Sequence, residues 1–269
     1  GLCCPICGAA MTEVEAALCC LAGHSFDRAR EGYYNLLAVQ HKASKDPGDS
    51  REMVAARRRV LDAGPYAPIA TRTCEIIATM GECSTILDAG CGEGYYLDAV
   101  ARANPAAACA GIDISKWAVR AAAKRKCQVF WAVASNRHLP FAAGSVDVIL
   151  SMFGFPLWDA FAAVQPPNGC VLLVDPGPEH LIEMRTIIYP VVKAAEPPSL
   201  DAALRAGYHL ADEQRLQFKA ELSSATEIAD LLTMTPHDHR APLAGREALA
   251  KLNHLTVTGD VVFRVLRRG

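Results

Sequence analysis

Residues 85–96 read Thr-Ile-Leu-Asp-Ala-Gly-Cys-Gly-Glu-Gly-Tyr-Tyr, and this stretch decides the fold class of the chain. Its first half predicts a buried strand that contains the acid Asp88. Gly90, Gly92 and Gly94 then form a loop with almost no side-chain bulk, and the apolar spacing that follows predicts a helix starting at once. Such a strand–loop–helix unit brings backbone close to a ligand at the carboxyl edge of a parallel sheet.

The spacing of the glycines separates two cofactor classes. It is G-x-G-x-G, not the G-x-G-x-x-G of dinucleotide enzymes. With the leading acid, it resembles the first motif of class I methyltransferases, which use S-adenosylmethionine (SAM). The resemblance implies cofactor contacts at Asp88, Gly90, Gly92 and Gly94.

A second acid supports this assignment. Ala108–Asp113 reads as the next strand, and Asp113 lies nineteen residues after Gly94. A carboxylate at the tip of that strand can accept hydrogen bonds from both ribose hydroxyls of a nucleoside cofactor. In the alternative interpretation Asp113 only N-caps a helix predicted over Ser115–Lys126, a role that Ser115 can fill instead.

The composition predicts one full α/β domain with a small module besides. The chain has 269 residues, of which 51% are hydrophobic, and a net charge of −2, which gives no support to a strongly electrostatic nucleic-acid partner. No apolar run reaches the roughly 18–20 residues that span a bilayer. We also expect no signal peptide. Because the cysteines number eleven, an odd total, they argue against a disulfide framework. We therefore expect a cytoplasmic protein without a membrane partner.

The first residues carry a candidate metal site. Cys4 and Cys7 form one close pair, and Cys20 and His24 form a second pair after twelve intervening residues. Three thiolates and one imidazole suit tetrahedral zinc, and a site with four protein ligands is structural rather than catalytic. The neighbouring Cys3 and Cys19 are spare thiols that could each replace an adjacent ligand.

The chain divides into a zinc-binding module at 1–35, a linker loop with helices at 36–80 and a SAM-binding domain at 81–269. Ser50 caps a predicted helix over 50–63. Strands are predicted near 85–90, 108–113, 128–134, 146–153 and 170–175, with helices between them. A further helix is predicted over Pro178–Lys193 and a last strand over Thr256–Arg267. This alternation predicts a doubly wound Rossmann-like parallel sheet.

A basic run, Arg57-Arg58-Arg59, lies on the first predicted helix. It reads either as a solvated helix face or as a phosphate contact.

Taken together, the motifs resemble those of the RlmA-type family of ribosomal large-subunit RNA guanine-N1 methyltransferases. The resemblance runs through nearly the whole chain. It includes the Cys4–His24 knuckle, the Gln40–Lys42 loop, the Asp88–Tyr96 motif, Asp113–Lys116, Val133–Ser135 and Pro176–Leu181.

The resemblance implies a zinc module that engages RNA and a domain that transfers a methyl group from SAM to N1 of one guanine in a ribosomal RNA hairpin. It implies SAM contacts at Tyr66, Gly92, Glu93 and His180, and the matching motifs add Ile114 and Ser135. A divergent paralogue and a homodimer are both left open.

The segment after the fourth strand departs from the family pattern. It carries Phe153, Phe155 and Trp158, which are candidates for the substrate pocket because an aromatic face attracts a sulfonium charge. Core packing is the alternative for each. No catalytic residue can be assigned from the sequence.

The departure keeps other functions open. One is a small-molecule SAM enzyme, either a metabolite methyltransferase or a cyclase that closes SAM to azetidine-2-carboxylate and releases methylthioadenosine. Another is a non-enzymatic SAM-sensing or RNA-binding module.

Overall fold

The computed structural model describes residues 1–38, 46–81, 83–125, 127–192 and 198–269. The Gln40–Lys42 loop lies outside the described residues, as do Lys126 and Lys193, the predicted ends of two helices.

The N-terminal module is a small antiparallel sheet. Its strands are β1 (Met11–Val14), β2 (Ala17–Cys20) and β3 (Ser25–Asp27), with β2 in the middle. The chain then enters the main sheet through β4 (Tyr34–Asn35), which pairs in parallel with a strand of the SAM domain. The ring of Tyr34 stacks on Phe130 with centroids 5.6 Å apart. The module is therefore packed against the edge of the main sheet.

Two helices follow, α1 (Arg51–Asp62) and α2 (Ala67–Ala78). The hydroxyl of Ser50 accepts a hydrogen bond from the backbone N–H of Met53 at 3.2 Å, which confirms the predicted cap. Both helices lie in the region predicted as linker and helices.

The centre of the protein alternates strands with helices as predicted, except between β7 and β8, where residues 134–147 form turns and loops and no helix. The strands are β5 (Thr85–Ala89), β6 (Ala108–Asp113), β7 (Val129–Val133), β8 (Val148–Met152) and β9 (Cys170–Pro176). The helices between them are α3 (Tyr95–Ala103), α4 (Lys116–Ala122), which a 3₁₀ turn (Ala123–Arg125) extends, and α5 (Trp158–Val164).

The strand order fixes where a ligand can bind. The sheet runs β10-β11-β9-β8-β5-β6-β7-β4, and β4 through β9 are parallel. The order reverses between β5 and β8, and ligands of doubly wound folds bind at the carboxyl ends of the strands at such a switch point. The predicted Rossmann-like class is confirmed, and the glycine loop follows β5 at this point.

Two long antiparallel strands extend the sheet. They are β10 (Tyr208–Leu222), which the sequence analysis missed, and β11 (Leu255–Arg268), which was predicted. Pairing of β11 with β9 ends at Val261 and Pro176, whereas β10 and β11 pair on to Leu222 and Leu255. The antiparallel pair of β10 and β11 therefore projects past the carboxyl edge of the parallel strands.

Four helices surround this projection. They are α6 (Ile182–Ile188), α8 (Ala225–Thr233), α9 (His237–Arg240) and α10 (Leu243–Ala250), and a short α7 (Asp201–Arg205) precedes β10. The helix predicted from Pro178 starts four residues later, because Leu181 adopts a left-handed conformation with φ of 54°. Residues 177–181 form turns instead.

The two faces of the sheet bury separate apolar cores. Ile86 of β5 belongs to one core and Leu87 to the other, as strand alternation requires. Trp158 is buried in the second core, where its ring packs on Phe161 and Tyr208 with centroids 6.1 and 5.3 Å away. The burial of Trp158 favours the core-packing alternative over a place in the substrate pocket.

Candidate cofactor site and metal centre

The glycine loop is shaped for close approach of a ligand. Gly90, Gly92 and Gly94 have φ angles of +98°, +54° and +82°, a region that glycine enters without strain. A Cβ on Gly94 would lie 2.7 Å from Trp131, whereas one on Gly92 would meet only Arg57, at 3.7 Å. Gly94 thus allows α3 to pack on the sheet, and Gly92 leaves open space above the loop.

Asp113 joins the loop to the second strand. Its carboxylate accepts hydrogen bonds from the backbone N–H of Gly92 at 3.0 Å and of Ser115 at 2.7 Å. Ser115 itself caps α4, since its hydroxyl accepts a hydrogen bond from Ala118 N at 3.3 Å. The N-cap interpretation of Asp113 is therefore wrong. Burial raises the pKa of Asp113.

Asp88 is a buried acid with capacity for a cationic ligand. It is 1% exposed, and its Oδ1 has no hydrogen-bond partner among the described residues. Burial, and secondarily the Asp113 carboxylate, raise the pKa of Asp88 to about 8. Because an unpaired buried carboxyl group is costly, an incoming positive charge would be stabilised there.

The carboxylate of Glu93 is paired through Oε2, whereas its Oε1 has no hydrogen-bond partner among the described residues. Arg125 contacts its carboxylate from Nη2 and from Nε at 2.9 Å, and also bonds Asp62 at 3.0 Å. Burial raises the pKa of Glu93, and the charge of Arg125 partly offsets this. The side chain of Glu93 is thus engaged by Arg125. The SAM contact that the resemblance implies for Glu93 stays a prediction.

An aromatic wall rises beside the loop on the β8 side. Phe153 follows β8, and its ring centroid lies 6.2 Å from that of Tyr96 and 6.1 Å from that of His180. Tyr66 packs edge-on against His180 and Phe218, with centroids 6.1 and 6.4 Å away. The structure thus brings three predicted residues, Tyr66, Phe153 and His180, into one group.

His180 has a defined role as a hydrogen-bond donor. Its Nδ1 accepts a hydrogen bond from the backbone N–H of Asp260 at 3.2 Å, so the neutral ring carries its proton on Nε2. Nε2 lies 3.5 Å from the hydroxyl of Tyr66. Burial lowers the pKa of His180 to about 4, so the ring is neutral at physiological pH.

The remaining predicted residues take different places. Ser135 lies in the turn after β7, where its hydroxyl accepts a hydrogen bond from Arg137 N at 3.2 Å. Ile114 packs beneath Gly48, whose Cβ would lie 3.0 Å from its Cγ2. Phe155 is 91% exposed to solvent.

The arginine run on α1 is committed to internal contacts. Arg57 bonds Asp49 and the carbonyl oxygen of Met234, Arg58 bonds Asp62 and the carbonyl oxygen of Ala121, and Arg59 forms a bidentate pair with Asp230. Arg59 is 58% exposed, as a solvated face predicts, whereas the partners of the run, up to 177 positions away in the sequence, were not predicted.

Sequence reasoning missed three side chains near the loop. Arg57 approaches Gly92, and the amide nitrogen of Asn136 would lie 3.7 Å from a Cβ on Gly90. Phe218 belongs to the strand that was not predicted. Asn136 directly follows the predicted Ser135, so the end of β7 was the one available signal for it.

The N-terminal cysteines and histidine converge on one point. Their ligand atoms all lie within 4.8 Å of one another. His24 Nδ1 is 3.6 Å from Cys4 Sγ and 3.4 Å from Cys20 Sγ, and Cys7 Sγ is 3.7 Å from Cys20 Sγ. A zinc tetrahedron with bonds of about 2.0–2.3 Å has edges of roughly 3.5–3.8 Å, so the donor set fits zinc.

The spare cysteines point elsewhere. Cys19 Sγ contacts the hydroxyl of Ser25 at 3.5 Å, and Cys3 forms a β-bridge with Ala10. Because β2 alternates its side chains, Cys19 and Cys20 face opposite sides of the strand.

Comparisons with known proteins agree with both sites. Residues 2–45 match the family model of the N-terminal zinc ribbon of RlmA, and residues 86–177 match that of a methyltransferase domain. YxjB of Bacillus subtilis (strain 168), which carries the name of a 23S rRNA (guanine-N(1)-)-methyltransferase, is 31% identical over 269 residues and covers 96% of this chain and 94% of its own.

A second relative and a solved structure are also similar. The 23S rRNA (guanine(748)-N(1))-methyltransferase of Streptomyces fradiae is 35% identical over 185 residues, which are 67% of this chain and 65% of that protein. A chain from the complex of a Haloferax volcanii methyltransferase with its activator Trm112 superposes with a TM-score of 0.53 at 18% identity, over 82% of this chain and 99% of that one. At this identity the likeness shows the fold alone.

The fold and the two sites define a class I methyltransferase with a zinc ribbon, whose cofactors are SAM and zinc. Within this class, the chain belongs to the RlmA-type family of 23S rRNA guanine-N1 methyltransferases. Within the described residues, no helix combines the length and hydropathy that a membrane crossing requires.

Proposed function

We propose that this protein transfers a methyl group from SAM to N1 of a guanine in a hairpin of 23S ribosomal RNA. The observation that carries the proposal is the aromatic wall of Tyr66, Tyr96, Phe153, His180 and Phe218 directly beside the glycine loop. Proteins that read unpaired RNA bases stack them on such rings. The names of the relatives supply the choice of base and atom.

The cofactor lies across the carboxyl ends of β5 and β6. Asp113 holds the ribose hydroxyls, Gly90 and Gly92 allow close backbone approach, and Asp88 faces the positive end of the ligand. SAM, when bound, supplies a methyl group on a positively charged sulfonium. Ile114 and Ser135 lie beside the adenine.

The wall positions the acceptor. Phe153 stacks on the guanine, and its own backbone has a φ of 54°, a strained value of the kind that clusters at functional sites. Enclosure between rings excludes water and aligns acceptor with donor. His180 carries its proton on the side facing Tyr66, so it acts as a donor in this wall and not as the base for the N1 proton.

The zinc ribbon and the exposed Phe155 contact the RNA around the target base. Because the substrate is ribosomal RNA, the protein acts in the cytoplasm. Whether two copies associate stays a prediction, which light scattering of the purified protein would answer.

The test is mass spectrometry of SAM incubated with the enzyme and an RNA hairpin that contains guanine 748, the position in the name of the Streptomyces fradiae relative. We expect S-adenosylhomocysteine and N1-methylguanine. A hairpin with adenine in place of that guanine is the matched control and should give neither product.

Two outcomes would overturn the proposal. Methylthioadenosine released from SAM without RNA would favour the cyclising enzyme. S-adenosylhomocysteine formed only with a small-molecule extract would favour a metabolite methyltransferase.

A further inference from the structure

Arg57 is a cationic side chain that borders the glycine loop at Gly92. It projects from α1 and is held at two points, by an ion pair with Asp49 and by a hydrogen bond to the carbonyl oxygen of Met234 at 3.0 Å. Its side chain is 24% exposed, so one side of the guanidinium remains accessible. The two anchors come from the segment before α1 and from the end of α8, and together they fix the guanidinium over the loop.

The guanidinium reaches the floor of the cofactor site. Its Nη1 lies 3.7 Å from the position that a Cβ on Gly92 would take. Its charge also acts on the Asp113 carboxyl group, whose pKa it lowers against the larger effect of burial. Arg57 is therefore electrostatically part of the site and not only of the helix interface.

The floor itself carries two carboxyl groups, that of Asp88 within β5 and that of Asp113 at the end of β6. The nearby Arg125 is occupied by Glu93 and Asp62. Such a floor suits the sulfonium and the ammonium of SAM, but it repels the carboxylate of the methionine moiety unless a cation faces it.

We propose that Arg57 binds the α-carboxylate of SAM, with that carboxylate taking over the guanidinium edge that Asp49 holds. A guanidinium has five N–H donors in a planar fork, so the hydrogen bond to Met234 can remain while one edge pairs with the ligand. The ligand carboxylate takes the place of the Asp49 carboxylate at the guanidinium, and the Asp49 side chain, which is 33% exposed, turns to solvent. The inference rests on the placement of SAM at the glycine loop in the proposed function.

The test measures the binding of two ligands to the wild type and to each variant. SAM and decarboxylated SAM, which lacks the α-carboxylate, are titrated by calorimetry into the wild type, Arg57→Gln and Arg57→Lys. Arg59→Gln is the matched control, because Arg59 lies on the same helix as Arg57 but pairs with Asp230 of α8. Circular dichroism checks that each variant is folded.

A charge-assisted hydrogen bond predicts a loss of about 10- to 100-fold in SAM affinity for Arg57→Gln. Decarboxylated SAM should bind the wild type and Arg57→Gln equally well. Arg57→Lys should retain part of the preference for SAM, and Arg59→Gln all of it.

Equal weakening of both ligands by Arg57→Gln would assign the residue a structural role and overturn the inference, as would unchanged affinity for SAM. If Arg57→Gln does not fold, the same comparison is made with Arg57→Lys. Failure of the wild type to bind SAM at all is a different result, because it would overturn the proposed function itself.

Discussion

The carboxylate of Asp113 accepts a hydrogen bond from the backbone N–H of Gly92 at 3.0 Å. This bond ties the tip of β6 to the middle of the glycine loop. The same carboxylate that is proposed to hold the ribose therefore also fixes the loop on which the cofactor lies.

Replacement of Asp113 by Ala should weaken SAM binding by about 1–3 kcal/mol, since a charged acceptor is lost. Calorimetry measures the change. Ser115→Ala is the control, because it removes a cap of α4 without removing a ribose acceptor. An unchanged SAM affinity of the Asp113 variant would place the cofactor elsewhere.

Two glycines of the loop should respond differently to Ala. In Gly94→Ala the new Cβ would lie 2.7 Å from Trp131 and 2.9 Å from Ala122, at a φ of +82°, so we expect a loss of about 2–4 kcal/mol in the free energy of unfolding. Gly92→Ala has room, so it should fold and lose SAM affinity instead. Denaturant melts and calorimetry on the pair distinguish the effects; the reverse pattern would contradict our assignment.

SAM binding should release protons at pH 7. The pKa of Asp88 is raised to about 8, mainly by burial, so its carboxyl group is mostly protonated in the free protein. A cationic ligand nearby favours the ionised form and lowers that pKa, which expels the proton. Calorimetry in buffers of different ionisation enthalpy measures the release, and Asp88→Asn should abolish it. A release that survives in this variant would exclude Asp88 as its source.

Phe155 and Trp158 were both predicted as substrate-pocket residues, but we expect their substitution by Ala to have different effects. Phe155→Ala should leave stability within about 0.5 kcal/mol because the side chain is 91% exposed. It should slow RNA methylation without changing SAM affinity. Trp158→Ala opens a cavity in the second core and should cost about 3–5 kcal/mol of stability. Thermal melts and methylation rates test both variants, and a stable Trp158→Ala protein would contradict the core assignment.

Removal of zinc should unfold the N-terminal module, because the binding energy of such a site is folding energy. Elemental analysis should find about one zinc per chain, and chelation should make residues 1–35 sensitive to protease. Cys20→Ser should mimic chelation. Cys19→Ser should not, since Cys19 contacts Ser25 instead of the other ligands. A protein that contains no metal and still has a folded N-terminal module would contradict the zinc assignment.

The sequence by itself determined the unit from β5 to α3, the acids Asp88 and Asp113, and the zinc ligands Cys4, Cys7, Cys20 and His24. These features depend on spacing within a short stretch of chain, where an apolar run, glycines without side chains and paired ligands specify local geometry directly. The tertiary structure kept them where the spacing predicted.

Only the tertiary structure determined the aromatic wall and the contacts between segments that are distant in the sequence. β10 is rich in Leu, Ala, Gln and Glu, which favour helix locally, and it becomes a strand because it pairs along its whole length with β11. That pairing brings Phe218 to Tyr66. The burial of Trp158 and the partners of Arg57 likewise depend on segments distant in sequence, which no local pattern encodes.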